Sequence, residues 1–410
     1  MKFSTLPPKG TFDVTPEEME LRSWMQDTIK NTYKEHGFTQ IETPSIENLD
    51  LLTNSEGGEN LQMLFKILKR GEKFSPAEIN ENTTENDLCD LGLRFDLTLP
   101  LSRFYANNRN DLLNPFKAFQ MGYVWRAEKP QKGRFRQFTQ CDIDILGDDS
   151  VYAEIDLILT VTKALKRLGF DDCTVKVNDR RLLREMVERS GLPPEEFATL
   201  CITLDKADKI GKDGVLRELL EKGFDEEPAK NLLELLKTIN EEGLGAFESE
   251  EATDLQRLID HVKDYYPIEF QPTLVRGMGY YTGPIFEIES RDFKSSIAGG
   301  GRYDDLLSKF QKDSLPGVGV SIGFERIFAI LREKDFIIPE QPKKLALVYT
   351  SEEDLQKTVA FAEALRDRGQ IVSMIRAFNK LGKKIKQLEN GGYDHVLVVR
   401  EDTVLDDLLQ

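Results

Sequence analysis

Histidine is scarce in this sequence: His36, His261 and His395 are the only three among 410 residues, and each stands alone. That isolation argues against a Ser-His-Asp triad or a His-rich metal site, both of which need imidazoles converging with other groups. The four cysteines, Cys89, Cys141, Cys173 and Cys201, are scattered without a C-x-x-C pair. This speaks against a zinc knuckle or a disulfide framework and fits a reducing cytoplasm. No apolar run approaches the ~18 residues of a membrane span, and residues 1–9 lack the apolar core of a secretory signal. A cytoplasmic protein without membrane contact is expected. Also missing are a G-x-x-x-x-G-K-[ST] phosphate loop and a G-x-G-x-x-G placed after a strand, so a nucleotide here needs another device. Basic residues are outnumbered 55 to 72, a net charge of −17. Such a balance weighs against bulk nucleic-acid binding, yet leaves room for a local basic patch.

What is present reads as a multidomain globular chain, because 410 residues exceed one ordinary core. Thr15-Pro16-Glu17-Glu18 is a helix start with a capping-box pattern, followed by Leu21, Trp24, Met25 and Ile29 at helical spacing. Gly37 ends that helix, and residues 38–43 alternate like a strand that stops at Pro44. Residues 66–92 are polar and irregular, which suggests a loop. Short β-like runs follow, at 93–95, 118–125 and 138–146, the last two predicting an antiparallel hairpin around a charged loop. A helix near 151–168 and a strand near 174–177 come next. Helical periodicity then dominates 182–265, strands resume over 273–299, and a helix follows Gly323. Past the linker Gln341-Pro342-Lys343-Lys344 the pattern is βαβαβ, with Ser351 and Asp354 capping the first helix and Gly369 closing it. The expected class is α+β, divided as 1–181, a helical insertion at 182–265, a return to the β-rich core at 266–338, and a small α/β domain at 343–410.

The densest chemistry lies in the hairpin. Arg126, Lys129, Lys132, Arg134 and Arg136 place five basic residues within eleven positions of an acidic chain. Arg126 and Glu128, two apart on a strand, share a face. A guanidinium there can grip two phosphate oxygens, oriented by the neighbouring carboxylate. A solvated hairpin with an ordinary Arg–Glu pair accounts for the same residues.

Residues 124–138 resemble motif 2 of class II aminoacyl-tRNA synthetases, in the form carried by histidine–tRNA ligases. Other segments match in family order. Residues 37–44 resemble motif 1, 93–100 the substrate strand, 274–283 and 298–304 the two histidine signatures, and 319–326 motif 3. The resemblance implies a class II antiparallel sheet flanked by helices, with a helical insertion and a C-terminal α/β domain like an anticodon-binding one. It implies activation of L-histidine by ATP, with Mg²⁺, to histidyl-adenylate and pyrophosphate, then transfer to the 3′-end of tRNA by a homodimer joined near Pro44.

Carried over by resemblance, Arg126 would bind the α-phosphate and Arg326 the γ-phosphate, with Glu128 and Arg136 toward the nucleotide. Asp96, Thr98 and Gln140 would take the α-ammonium and Arg276 the carboxylate. Asp144 and Tyr281 would address the imidazole, with Tyr303 lining the pocket. Metal ligands are not implied. Three departures stand out: Gly279 where the family usually carries an acidic residue, Lys129 in place of an arginine, and a C-terminal domain shorter than usual. Gly279 and the tail point to an alternative, a non-catalytic paralogue that regulates ATP phosphoribosyltransferase. The intact Arg126, Arg136 and Arg326 set points back to the ligase.

Overall fold

A computed structural model describes residues 3–53, 63–74, 79–130, 134–276, 280–291, 293–308, 315–339, 341–377 and 379–404. Helix α1 (Pro16–Glu35) starts with the expected capping box: Glu18 N donates to Thr15 Oγ1 at 3.3 Å, and Thr15 N to the Glu18 carboxylate at 2.9 Å. Strand β1 shrinks to Thr39–Gln40, and β2 (Ile46–Asn48) and α2 (Leu49–Thr53) follow. Residues 66–92 are not a loop throughout. They contain β3 (Lys66–Leu68), the short helix α3 (Glu85–Leu88) and β4 (Cys89–Leu93), and β2-β4-β3 form a small antiparallel sheet.

The strand expected over 93–100 is likewise corrected. The chain leaves β4 at Leu93 and enters helix α4 (Thr98–Asn108). Pro100 is tolerated there because a first-turn N–H has no partner within the helix anyway.

The hairpin of β5 (Phe116–Trp125) and β6 (Gln137–Leu146) is antiparallel along its length. Helix α5 (Tyr152–Arg167) and β7 (Cys173–Asp179) lead into α6 (Arg180–Ser190), α7 (Phe197–Leu204), α8 (Ala207–Glu221), α9 (Glu226–Glu242) and α10 (Glu250–Val262). The chain then returns through β8 (Ile268–Phe270), β9 (Pro284–Ser290), β10 (Phe293–Arg302), α11 (Asp304–Ser308), β11 (Gly317–Ile322) and α12 (Phe324–Glu333). The stretch just before Pro284 is therefore not strand.

Eight strands join in the order β1-β5-β6-β11-β10-β9-β7-β8, parallel only at the two outer pairs. β6 lies inside the sheet between β5 and β11, and every residue from Thr139 to Leu146 is buried, with α5 and α12 packed on it. Charged groups on that strand are thus taken out of water, which sets up the site.

The chain divides into two compact units, residues 1–336 and 337–410. In the second, β12 (Lys344–Tyr349), α13 (Glu353–Arg366), β13 (Ile371–Arg376), α14 (Leu381–Glu389) and β14 (His395–Val399) form a parallel sheet, order β13-β12-β14. Alternation along β12 feeds two cores, Leu345 and Leu347 to one face and Ala346 and Val348 to the other. Asp354 N donates to Ser351 Oγ at 3.2 Å at the entry to α13, whose N-cap is Glu352 and not the expected Ser351. Among the described residues no helix is long and apolar enough to cross a membrane.

Candidate active site

A cavity of about 350 Å³ opens on the sheet of the first unit. Thr98, Arg126, Glu128, Gln140, Asp144, Arg276, Tyr281, Tyr303 and Arg326 all line it, although 228 residues separate the first from the last. Asp96 is buried beside them. Arg136 is not among the lining residues. Its Nε donates to the Glu128 carbonyl at 3.1 Å, and its Cγ packs so close to Gly10 that a Cβ there would lie 2.8 Å away.

The floor is acidic. Gln140, Asp142 and Asp144 alternate along β6 and so share one face. Gln140 Nε2 donates to Asp142 Oδ2 at 2.6 Å, Tyr303 OH donates to Asp144 Oδ1, and Asp96 Oδ1 accepts from Leu99 N at 3.2 Å. Burial disfavours the charged forms. It pushes the Asp96 carboxyl up to about 6 and Asp142 to about 7, and Asp144 well above the usual carboxylate range, with Asp142 nearby adding to the rise. Among the described residues, Gln140 Oε1 and Asp142 Oδ1 are buried acceptors without a hydrogen-bond donor. Such atoms are costly to leave unpaired, and together with three crowded carboxyls they call for a cationic, donor-rich ligand. Gly319 makes room for this floor, since a Cβ there would lie 1.9 Å from Asp144 Oδ1.

The upper wall is cationic. Arg126 Nε donates to the Phe95 carbonyl at 3.0 Å, and its guanidinium lies 5.1 Å from the centroid of the Phe138 ring. β5 has ended at Trp125, and the carboxylate expected to orient Arg126 is elsewhere: Glu128 is 3.9 Å from Arg134 Nη1. A main-chain carbonyl holds Arg126 instead. Arg276 Nη1 donates to Glu287 Oε1 at 2.9 Å and its guanidinium is hydrogen-bonded to Tyr281. Arg326 Nη1 donates to the Ser296 carbonyl. At the start of α12 the buried Arg–Glu pair is made by Glu325 with Arg22, not by Arg326.

Lining residues that were not foreseen include Arg134, Asp142, Tyr280, Ser321 and Glu325. Period two from Gln140 and Asp144 was a sufficient signal for Asp142. Tyr280 and Glu325 adjoin expected site residues, but neither position carries a distinguishing pattern. Gly279 and residues 131–133 of the basic loop lie outside the described residues. Among the described residues no group of three or more His, Cys, Asp or Glu is placed to hold a metal.

A family model described as histidyl-tRNA synthetase matches residues 10–327. A histidine–tRNA ligase of Leifsonia xyli subsp. xyli is 37% identical, covering 97% of this chain and 96% of that one. A probable histidine–tRNA ligase of Tropheryma whipplei is 38% identical over 98% of each. Among solved structures, histidyl-tRNA synthetase from Nostoc sp. PCC 7120 superposes with a TM-score of 0.79 at 26% identity, covering 95% of this chain and 90% of that one. A protein described as an ATP phosphoribosyltransferase regulatory subunit/histidyl-tRNA synthetase from Bacillus halodurans C gives 0.77 at 21% identity, covering 97% and 99%, a likeness of fold alone.

Proposed function

The chain belongs to the histidyl-tRNA synthetase family, with its α+β fold and its function of joining histidine to tRNA, and from that premise we propose how this cavity carries out the reaction. The observation that carries the reading is polarity: the buried carboxyls Asp142 and Asp144 share the lining of one cavity with three arginines, Arg126, Arg276 and Arg326, and Asp96 is buried beside it. An amino acid with a cationic end, beside a polyphosphate, matches both halves.

In this reading the α-ammonium lies among Asp96, Thr98 and Gln140, and Arg276 holds the carboxylate. Asp144 and Tyr281 bond the ring nitrogens, and Tyr303 closes the pocket while bonding Asp144. A site built to pair both ring nitrogens rejects analogues that cannot, by as much as ~10⁴-fold. Arg126 meets the α-phosphate of ATP and Arg326 the γ-phosphate, with Glu128 toward the adenine. Arg136, bonded to the Glu128 carbonyl, supports the loop.

The histidine carboxylate oxygen attacks the α-phosphorus in line. The bond to the bridging oxygen of pyrophosphate breaks, and the arginines stabilise the charge that develops. A hydroxyl at the tRNA 3′-end then takes the acyl group and AMP departs. No protein nucleophile is required. Mg²⁺ belongs to this reading only as part of the ATP substrate, held by phosphate oxygens and water. The working form is a homodimer joined near Pro44, in the cytoplasm, and residues 343–410 meet the anticodon side of the tRNA.

Among these comparisons the regulatory-subunit alternative has a fold-level likeness at 21% identity, against 37–38% for relatives named as ligases. The deciding test is histidine-dependent pyrophosphate–ATP exchange with purified protein. Robust exchange is expected; folded protein that binds histidine yet exchanges nothing would overturn the reading.

A further inference from the structure

Glu325 and Arg326 are neighbours at the first turn of α12, and both line the cavity. A carboxylate next to a phosphate-binding arginine is a hazard, because it can neutralise the cation the ligand needs. Here that carboxylate is occupied. Arg22 Nη1 donates to Glu325 Oε2 at 2.6 Å and Arg22 Nη2 to Oε1 at 2.8 Å, while Thr139 N donates to Oε1 at 3.0 Å. Arg22 Nη2 also reaches Thr139 Oγ1 at 3.0 Å.

Arg22 is 1% exposed, and its guanidinium lies against Phe324 and Phe328 of α12, its centre 4.8 Å and 5.1 Å from their ring centroids. Two aromatic faces and a two-pronged carboxylate contact leave it little freedom. Among the described residues Arg326 makes no ion pair; its nearest fixed bond is to the Ser296 carbonyl. Glu287 is the carboxylate that acts on Arg326 through space, and it is itself bonded to Arg276 at 2.9 Å, so the Arg326 charge is left for a ligand.

We propose that Arg22 is a positioning residue for the nucleotide: by holding Glu325 it keeps that carboxylate away from Arg326 and so reserves the Arg326 charge for the outer phosphates. The inference rests on Arg326 meeting the γ-phosphate. Removing Arg22 alone strands a buried carboxylate on the residue next to Arg326 in the chain, an unpaired charge that seeks another cation. Removing both charges leaves no such competitor.

The test measures the KM for ATP in exchange alongside inhibition by AMP, which lacks the outer phosphates. Arg22→Met is expected to raise the ATP KM about tenfold, as loss of one charge-assisted contact would, with AMP inhibition unmoved. Arg22→Met/Glu325→Gln is expected to return the ATP KM toward the wild-type value. Arg22→Lys keeps the charge but lacks the fork, and a smaller rise of about threefold, again without an AMP effect, is expected from it.

A purely structural pair would lower the melting temperature while leaving the ratio of ATP KM to AMP inhibition constant. That outcome, or a double variant no better than Arg22→Met, overturns the inference. Should Arg22→Met not fold, an unmoved ratio in Arg22→Lys does the same. A wild-type chain without exchange defeats the proposed function, whereas normal wild-type exchange with unmoved ratios defeats this inference alone.

Discussion

Asp142 sits between Gln140 and Asp144 on one face of β6, and burial pushes its carboxyl up to about 7. Its ordinary value is 3.8, so between roughly pH 4 and 7 the folded chain holds a proton that the unfolded chain has released. Stability from this group is then present at low pH and lost as pH rises through 7. Asp96, pushed to about 6, acts in the same direction. Ligand binding has the opposite sign, because an ammonium needs the ionised carboxyls. The rise in melting temperature caused by saturating histidine is therefore expected to be larger at pH 8 than at pH 6, and Asp142→Asn is expected to flatten that difference. A histidine effect equal at both pH values would count against the acidic floor as the ammonium site.

Arg126→Ala is expected to lower exchange by ~10²–10³-fold, the usual cost of removing one electrostatic stabiliser of a transition state. Its melting temperature should barely move, since Arg126 is only partly buried and its Nε bonds a single carbonyl. At this scale, what the sequence reveals depends on distance along the chain. Gln140, Asp142 and Asp144 are legible by period two alone. The Phe95 carbonyl that holds Arg126 is main chain, invisible to any side-chain pattern. Arg22 and Glu325 are 303 positions apart, and no local rule joins them.

Among the elements, β10 shows how one strand can serve both packing and binding. On sequence alone Gly299, Gly300 and Gly301 permit close backbone approach, and equally a β-bulge or a tight turn. The structure selects close approach within a strand, paired with β11 on one side and β9 on the other. The neighbouring glycines answer to different constraints. A Cβ on Gly299 would lie 1.7 Å from Arg276 Nη1, the movable end of a side chain; on Gly300 it would lie 1.9 Å from the Gly319 carbonyl, which is backbone. Gly299→Ala is thus expected to raise the histidine KM about tenfold or more by displacing a bidentate-capable arginine, with a small change in melting temperature. Gly300→Ala is expected to cost about 1–3 kcal/mol of stability by overpacking. Thermal denaturation and histidine titration of the two variants check the contrast; equal stability losses with unchanged histidine binding would refute it. Strongly patterned elements such as α1 and the β5–β6 hairpin are readable because caps and alternation act locally. β3 and β4 are short and mostly polar, and gain their strand character only by pairing with each other and with β2.

For the whole molecule, the division between Phe336 and Ile337 separates the chemistry from the tail. Every residue lining the cavity lies between Thr98 and Arg326, and helices α6 to α10 belong to the same unit as the catalytic sheet. The tail keeps its own two-sided core, with Leu347 and Leu365 on one face of its sheet and Val348 and Leu388 on the other. A unit with its own core is separable. A chain ending at Phe336 is accordingly expected to retain histidine-dependent exchange within about threefold, because adenylate formation needs only groups in the first unit. Charging of tRNA is expected to fall at least about tenfold, since lost phosphate contacts weaken a polyanionic partner and not the small substrates. The two assays run on the same preparation divide the outcomes. Loss of exchange in a truncated chain that still binds histidine would mean the tail contributes to the first step. Undiminished tRNA charging would mean that residues 337–410 do not hold the tRNA.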